Sequence, residues 1–180
     1  MKMKIRLAAI FLILAISPGL NAQTDEEKAF PCRFGDEYKR LDFWLGEWDV
    51  YVKDKKTATS DITKSEGGCT LHEDYKTLGG FYGRSMSYYD PVDKKYTQLW
   101  IDKFNSITTF KETEAREGYL KMNTDDGKGT LTAMDYTLDP ATGNVTQTME
   151  SSKDGGKTWK KSFVGVYKKR KSGAKSGETK

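Results

Sequence analysis

Leu41-Asp-Phe-Trp-Leu-Gly-Glu-Trp-Asp-Val-Tyr51 decides how the rest of this chain is read. Phe43, Trp44 and Leu45 lead into a Gly-x-Trp step at Gly46 and Trp48, and Trp48, Val50 and Val52 then alternate with Asp49 and Tyr51. A glycine at such a step lets the chain turn sharply and lets a neighbouring backbone approach. An indole two residues later is large enough to plug the narrow end of a closed sheet. The stretch predicts a container made of strands and says nothing of what is contained.

From Gly46 onward the pattern has period two. It predicts strands near 47–53, 58–66, 69–77, 81–89, 96–102, 107–112, 118–123, 130–138, 144–151 and 159–168. The breaks carry turn chemistry: Gly67-Gly68, Gly79-Gly80, Asp90-Pro91, Asp125-Asp126-Gly127, Asp139-Pro140 with Gly143-Asn144, and Asp154-Gly155-Gly156. Short strands joined by hairpin-length turns form a meander, and a meander of this length removes its free edges by closing. The expected class is therefore all-β, a single closed or nearly closed antiparallel meander barrel of eight to ten strands. A short N-terminal helix, one or two turns over 36–43, would bury Tyr38, Leu41 and Trp44. An open β-sandwich is the alternative.

Upstream the chain changes character. Lys2, Lys4 and Arg6 precede an apolar run from Leu7 to Ile16, which Ser17-Pro18-Gly19 ends before the small Ala22. Residues 1–22 read as a secretory signal peptide, too short for a membrane anchor. The expected division is then a signal peptide over 1–22, a polar lead without period over 23–34, a barrel domain over 35–168 and a disordered basic tail over 169–180. The formal charge of +4 belongs to the two ends. The leader carries three of the cations and the segment from Lys168 onward six more, which leaves the body acidic. No nucleic-acid-binding face is expected, and no membrane anchor. The expected location is exported, periplasmic or secreted. Cys32 and Cys69, two cysteines in such a chain, predict a disulfide, with two buried thiols as the alternative.

Several motifs read as structure. Ser152-x-Asp154-x-Gly156-x-Thr158-Trp159 matches the Asp-box hairpin, in which the Ser and Asp side chains bond turn amides and Trp packs beneath. Gly83-Arg84-Ser85-Met86-Ser87 falls short of a nucleophile elbow and lies mid-strand. His72 is the only histidine, with Glu73 and Asp74 beside it, so a metal would need ligands from distant strands. Neither a metal site nor a cofactor is expected. Asn144-Val145-Thr146 is a glycosylation sequon where the pathway is eukaryotic.

The aromatic residues carry the functional expectation. Tyr82, Tyr88, Tyr89, Tyr96 and Trp100 fall in two adjacent strands. Parity puts Gln98 with Trp100, Arg84 with Met86 and Tyr88, and Phe163 and Tyr167 on one face with Gly165 between them. Packed core is one reading of these residues. The other is a lumen with aromatic walls and a few polar hooks, the mixture that small-molecule pockets use. Expected ligand-binding residues are Glu73, Arg84, Tyr88, Gln98, Trp100, Phe163 and Tyr167, with Trp48 closing the base.

Three segments go beyond generic patterning: LDFWLGEWDV at 41–50, GGCTLHEDY at 67–75 with 81–89, and SSKDGGKTWKKSFVGVY at 151–167. Together they resemble the DUF1579 family of mostly bacterial proteins over nearly the whole chain from Cys32 to Tyr167. The resemblance implies a lipocalin-like (calycin) barrel of about 150 residues and brings no settled activity or catalytic residues. Nitrobindin-type barrels are a more distant resemblance. They hold haem through a late histidine, whereas here no histidine follows His72, and Tyr167 and Met149 are the only late residues of a kind that ligates iron. The lipocalin pattern also pairs the Gly-x-Trp indole with an arginine near the last strand, where this chain has Arg170.

Three functions follow in turn. The first is an exported barrel binding a small apolar or aromatic molecule. The second is a small isomerase, cyclase or hydrolase using Glu73 or Asp102 as general base on a hydrophobic substrate. The third is a structural barrel filled by its own side chains. An open cavity separates the first two from the third, and a buried carboxylate facing that cavity would favour the second over the first.

Overall fold

A computed structural model describes residues 23–171. The expected signal peptide, and the expected tail beyond Lys171, lie outside the described residues. The ten strands are β1 (Gly46–Val52), β2 (Lys55–Ser65), β3 (Thr70–Thr77), β4 (Tyr82–Asp90), β5 (Lys95–Asp102), β6 (Ile107–Arg116), β7 (Tyr119–Asp125), β8 (Leu131–Leu138), β9 (Val145–Ser152) and β10 (Lys160–Lys169). Each pairs antiparallel with its sequence neighbour, and β1 pairs with β10 through Trp48–Lys169 and Val50–Tyr167, which closes the barrel. The fold class is the one the period-two pattern predicts. Bulges between Val50 and Tyr51, Glu112 and Glu114, and Lys161 and Phe163 add the local twist that closure needs.

Antiparallel order places the turns after β2, β4, β6 and β8 at one end, with the N-terminal lead. The five turns after the odd-numbered strands form the other end, the mouth. The lead builds a floor. Residues 36–44 form two 3-10 turns, Asp36–Lys39 and Asp42–Trp44, the short helical turns expected there. Leu41 and Trp44 are fully buried as expected, while Tyr38 is half-buried and packs edge-on against Tyr89. Trp48 donates its indole N–H to the Trp44 carbonyl at 2.8 Å, so the two indoles lock together beneath the lumen.

At Gly46 the backbone has φ +123°, and a Cβ there would collide with the Lys169 ammonium. That ammonium lies 3.8 Å from the centroid of the Trp48 ring. The indole is thus covered by Lys169, and Arg170 takes a different part. Arg170 donates to the Trp48 carbonyl and to Asp61 Oδ1 (2.9 Å), and faces Glu47 and Asp49. The expected tail boundary at residue 169 is therefore too early. Lys169 is strand and Arg170 is anchored, because the acidic residues of β1 and β2 receive them.

The lead differs from the sequence reading in one further feature and agrees with it in the disulfide. The stretch 23–34, read as lacking a period, contains α1 (Asp25–Ala29) and α2 (Pro31–Phe34). Thr24 and Glu27 form a reciprocal capping box, and Pro31 opens the second helix. Both helices are too short for periodicity to register. Cys32 is buried and bridged to Cys69, with Cα atoms 4.9 Å apart, so the disulfide ties the floor to the start of β3. Closing a loop with a sequence separation of 37 should stabilise the fold by about 4 kcal/mol on chain-entropy grounds. Unfolding in denaturant with and without reductant measures this. The untreated protein should show no alkylatable thiol, and two alkylated cysteines before reduction would refute the bridge.

Candidate functional site: the barrel lumen

Above the two indoles the barrel is not filled. A cavity of about 300 Å³ runs toward the mouth, at the lower end of the range of small-molecule pockets. Its lining has two levels. Deep in the barrel lie Glu73, Gln98, Gln147, Met134 and Tyr167. Phe110 stands opposite Gln98 on β6, and nearer the mouth lie Tyr75, Phe81, Trp100, Ser106, Thr108, Met149 and Phe163. Phe81 and Ser106 come from the turns after β3 and β5, so the cavity reaches the mouth.

The walls depend on a size exchange between neighbouring strands. On β4 the inward positions are Gly83, Ser85 and Ser87, all buried, and the space they leave is used from across the sheet. A Cβ on Gly83 would overlap the Trp100 ring, so that glycine lets the indole lie flat against the strand. Trp100 stands edge-on to Tyr75 and near-parallel to Phe81. Phe163 folds its ring over Gly165, as the spacing on the last strand implied.

The deep level is a polar network inside a hydrophobic shell. Gln98 Nε2 donates to Ser87 Oγ (3.0 Å) and to the Tyr136 hydroxyl (3.1 Å). Gln147 Nε2 donates to the same hydroxyl (3.1 Å), and Tyr167 donates its own to Gln147 Oε1 (2.8 Å). Trp44 packs on Tyr136 from below with ring centroids 4.5 Å apart. Burial raises the Tyr136 and Tyr167 hydroxyls well above the ordinary phenol value, and burial raises Tyr75 to about 12. These phenols stay neutral at any physiological pH.

Glu73 is the exception in charge. It is 5 % exposed, and its oxygens accept from Ser60 Oγ (2.7 Å) and Ser85 Oγ (3.1 Å). Burial pushes its carboxyl up to about 7, against the two serine hydroxyls that pull it down. Near neutral pH it can hold or release a proton into the cavity.

The structure therefore brings together Glu73, Gln98, Trp100, Phe163 and Tyr167 in the lumen. Arg84 and Tyr88, expected in the lumen, lie outside it. They do share a face, but it is the outer one. Arg84 is exposed and reaches Asp74 on the neighbouring strand, at 3.5 Å. A guanidinium turned inward would have displaced Trp100 and had to be desolvated. Asp102, the other acid considered as a base, does not line the cavity. Its carboxylate accepts from the Phe104 and Ser106 amides and caps the turn.

His72 is half exposed and faces Glu66 at 3.0 Å, and among the described residues no group of His, Cys, Asp and Glu is placed to hold a metal. The Asp-box segment is the structural hairpin expected of it. Asp154 Oδ1 accepts from the Lys157 and Thr158 amides, Ser152 Oγ from Gly156, and Trp159 donates to the Gly156 carbonyl. The Thr158 hydroxyl and amide, then the Ser152 hydroxyl, donate to the Asp154 carboxylate and hold its carboxyl at about 2.

No protein-family model matches the chain, and neither does any curated protein. No helix among the described residues is long and apolar enough to cross a membrane.

Proposed function

We propose that the protein is an exported container that binds a small apolar or aromatic molecule in its barrel. The open lumen carries this reading: about 300 Å³ between Trp100, Phe163, Phe81 and Tyr75, where a structural barrel would have packed side chains. Export is supported by the Cys32–Cys69 disulfide, which belongs to an oxidising compartment. Membership of the DUF1579 family, on the strength of the three segments quoted above, is part of the same proposal.

The test is a hydrophobic fluorophore titrated into the folded protein. It should bind, quench tryptophan emission and compete with aromatic ligands. Trp100→Ala should weaken binding by more than tenfold while costing less stability than loss of a fully packed indole, because its ring already borders empty space. If the wild type binds no apolar probe and Trp100→Ala costs as much stability as a floor indole, the barrel is structural.

Glu73 supports a second reading. A carboxylate of pKa about 7 facing a cavity is what a general base for proton abstraction requires, so an isomerase or cyclase working on a hydrophobic substrate would use it. The neighbouring phenols are too weakly acidic to hand a proton back at neutral pH. Glu73 would have to act alone, both taking and returning the proton.

A further inference from the structure

We propose that the lumen takes an organic amine, its ammonium head against Glu73 and its apolar body among Tyr75, Trp100, Phe163 and Tyr167. The inference rests on the lumen reading and names the ligand class. The first ground is the charge inventory. Among the described residues Glu73 is the one carboxyl lining the cavity, and no Lys, Arg or His lines it. The second is what surrounds that carboxyl. It accepts from two neutral hydroxyls, Ser60 on β2 and Ser85 on β4, and from no cation. The nearby cations Lys76 and Arg84 stand on the outer face and are taken by Asp74 there. Tyr75 on the same strand, Tyr136 on β8 and Tyr167 on β10 are the other titratable groups facing it, and all three are neutral.

A buried carboxylate without a counter-ion is a standing cost to the fold. A ligand ammonium supplies the missing charge where the protein does not. The aromatic wall suits the same head, because ring faces attract cations, most strongly when both are out of water. A carboxylate or phosphate ligand would meet Glu73 with like charge and find no cation to hold it. Proton balance gives the inference its signature. Glu73 titrates at about 7. Above that pH an ammonium meets the carboxylate and no proton moves. Below it, the ammonium must displace the Glu73 proton to solvent, so affinity falls roughly tenfold per pH unit.

Calorimetric titration of the full chain with phenethylamine, phenethyl alcohol and phenylacetate, one body with three heads, decides the matter. At about pH 8 the amine should bind at least roughly tenfold tighter than the alcohol, and the acid should not bind measurably. At about pH 6 the amine should weaken by roughly tenfold while the alcohol is unchanged. Glu73→Gln, which copies the protonated side chain, should keep alcohol binding and lose the preference for the amine. If that variant does not fold, the wild-type pH comparison decides alone. Alcohol binding as tight as amine binding, or amine binding indifferent to pH, overturns the amine inference and leaves the container standing. Binding of none of the three overturns both.

Discussion

Trp48→Ala should destabilise the protein by about 3–5 kcal/mol, as loss of a large core aromatic does. For a domain of ordinary stability, about 5–15 kcal/mol, that is a large share of the margin. The site explains the size. Trp48 is fully buried, bonds the Trp44 carbonyl, packs edge-on against Tyr167 and lies beneath the Lys169 ammonium. Its removal leaves a void between the floor and the β1–β10 seam, and leaves the Trp44 carbonyl without its donor. Urea unfolding should show a lower midpoint with an unchanged slope. Ligand binding should follow the folded fraction, the reverse of the Trp100→Ala pattern.

Stability should fall as pH rises from about 4.5 to above 7, with Glu73 contributing about 3 kcal/mol of the fall. Its carboxyl sits at about 7 in the folded protein against an ordinary 4.5. Between those values the folded state holds a proton that the unfolded state has lost. The contribution is complete below 4.5 and is lost as pH passes through 7. Asp154, Asp93, Asp126 and Asp139 are held below their ordinary values by hydrogen bonds or, for Asp93, the Lys111 ammonium. They act in the opposite sense, and only on the acid side, where stability falls as pH drops through their folded values. Asp135, also raised by burial, acts in the same sense as Glu73, so the difference in denaturant midpoint between the wild type and Glu73→Gln, followed between about pH 5 and 8, isolates Glu73. Glu73→Gln should flatten that slope and be more stable than the wild type at the alkaline end. A wild type equally stable at both ends would mean that Glu73 is charged and solvated throughout.

The fold was legible because the signals that set it are local. Gly46-x-Trp48, ten period-two runs and the turn residues between them agree with one another, and the strand edges they imply lie close to those observed. The Asp-box residues specify their hairpin through bonds no longer than six residues. The lumen was half legible. Parity assigned Gln98 with Trp100, and Phe163 with Tyr167, because each pair stands on a strand whose large residues point inward. On β4 that rule inverts. Gly83, Ser85 and Ser87 face the lumen to admit Trp100 and to reach Glu73, which leaves Arg84 and Tyr88 outside. Reading it required knowing what lies across the barrel. Gln147 and Tyr136 were missed for the same reason. Their bonds to Gln98 and Tyr167, with that of Gln98 to Ser87, join β4, β5, β8, β9 and β10 across at least 11 residues of sequence. The short inward residues of β4, opposite a glutamate on β3, were the available signal.

The central claim is that the space above the two floor indoles is open and apolar-walled. Crystals of the protein pressurised with xenon test this directly, since xenon enters apolar voids and is located by its own scattering. Xenon should sit between Trp100, Phe163 and Met149, with Glu73 below it and the floor rings unmoved. A lumen in which those side chains have closed on one another, with no xenon bound, would contradict the account and leave a barrel that contains only itself.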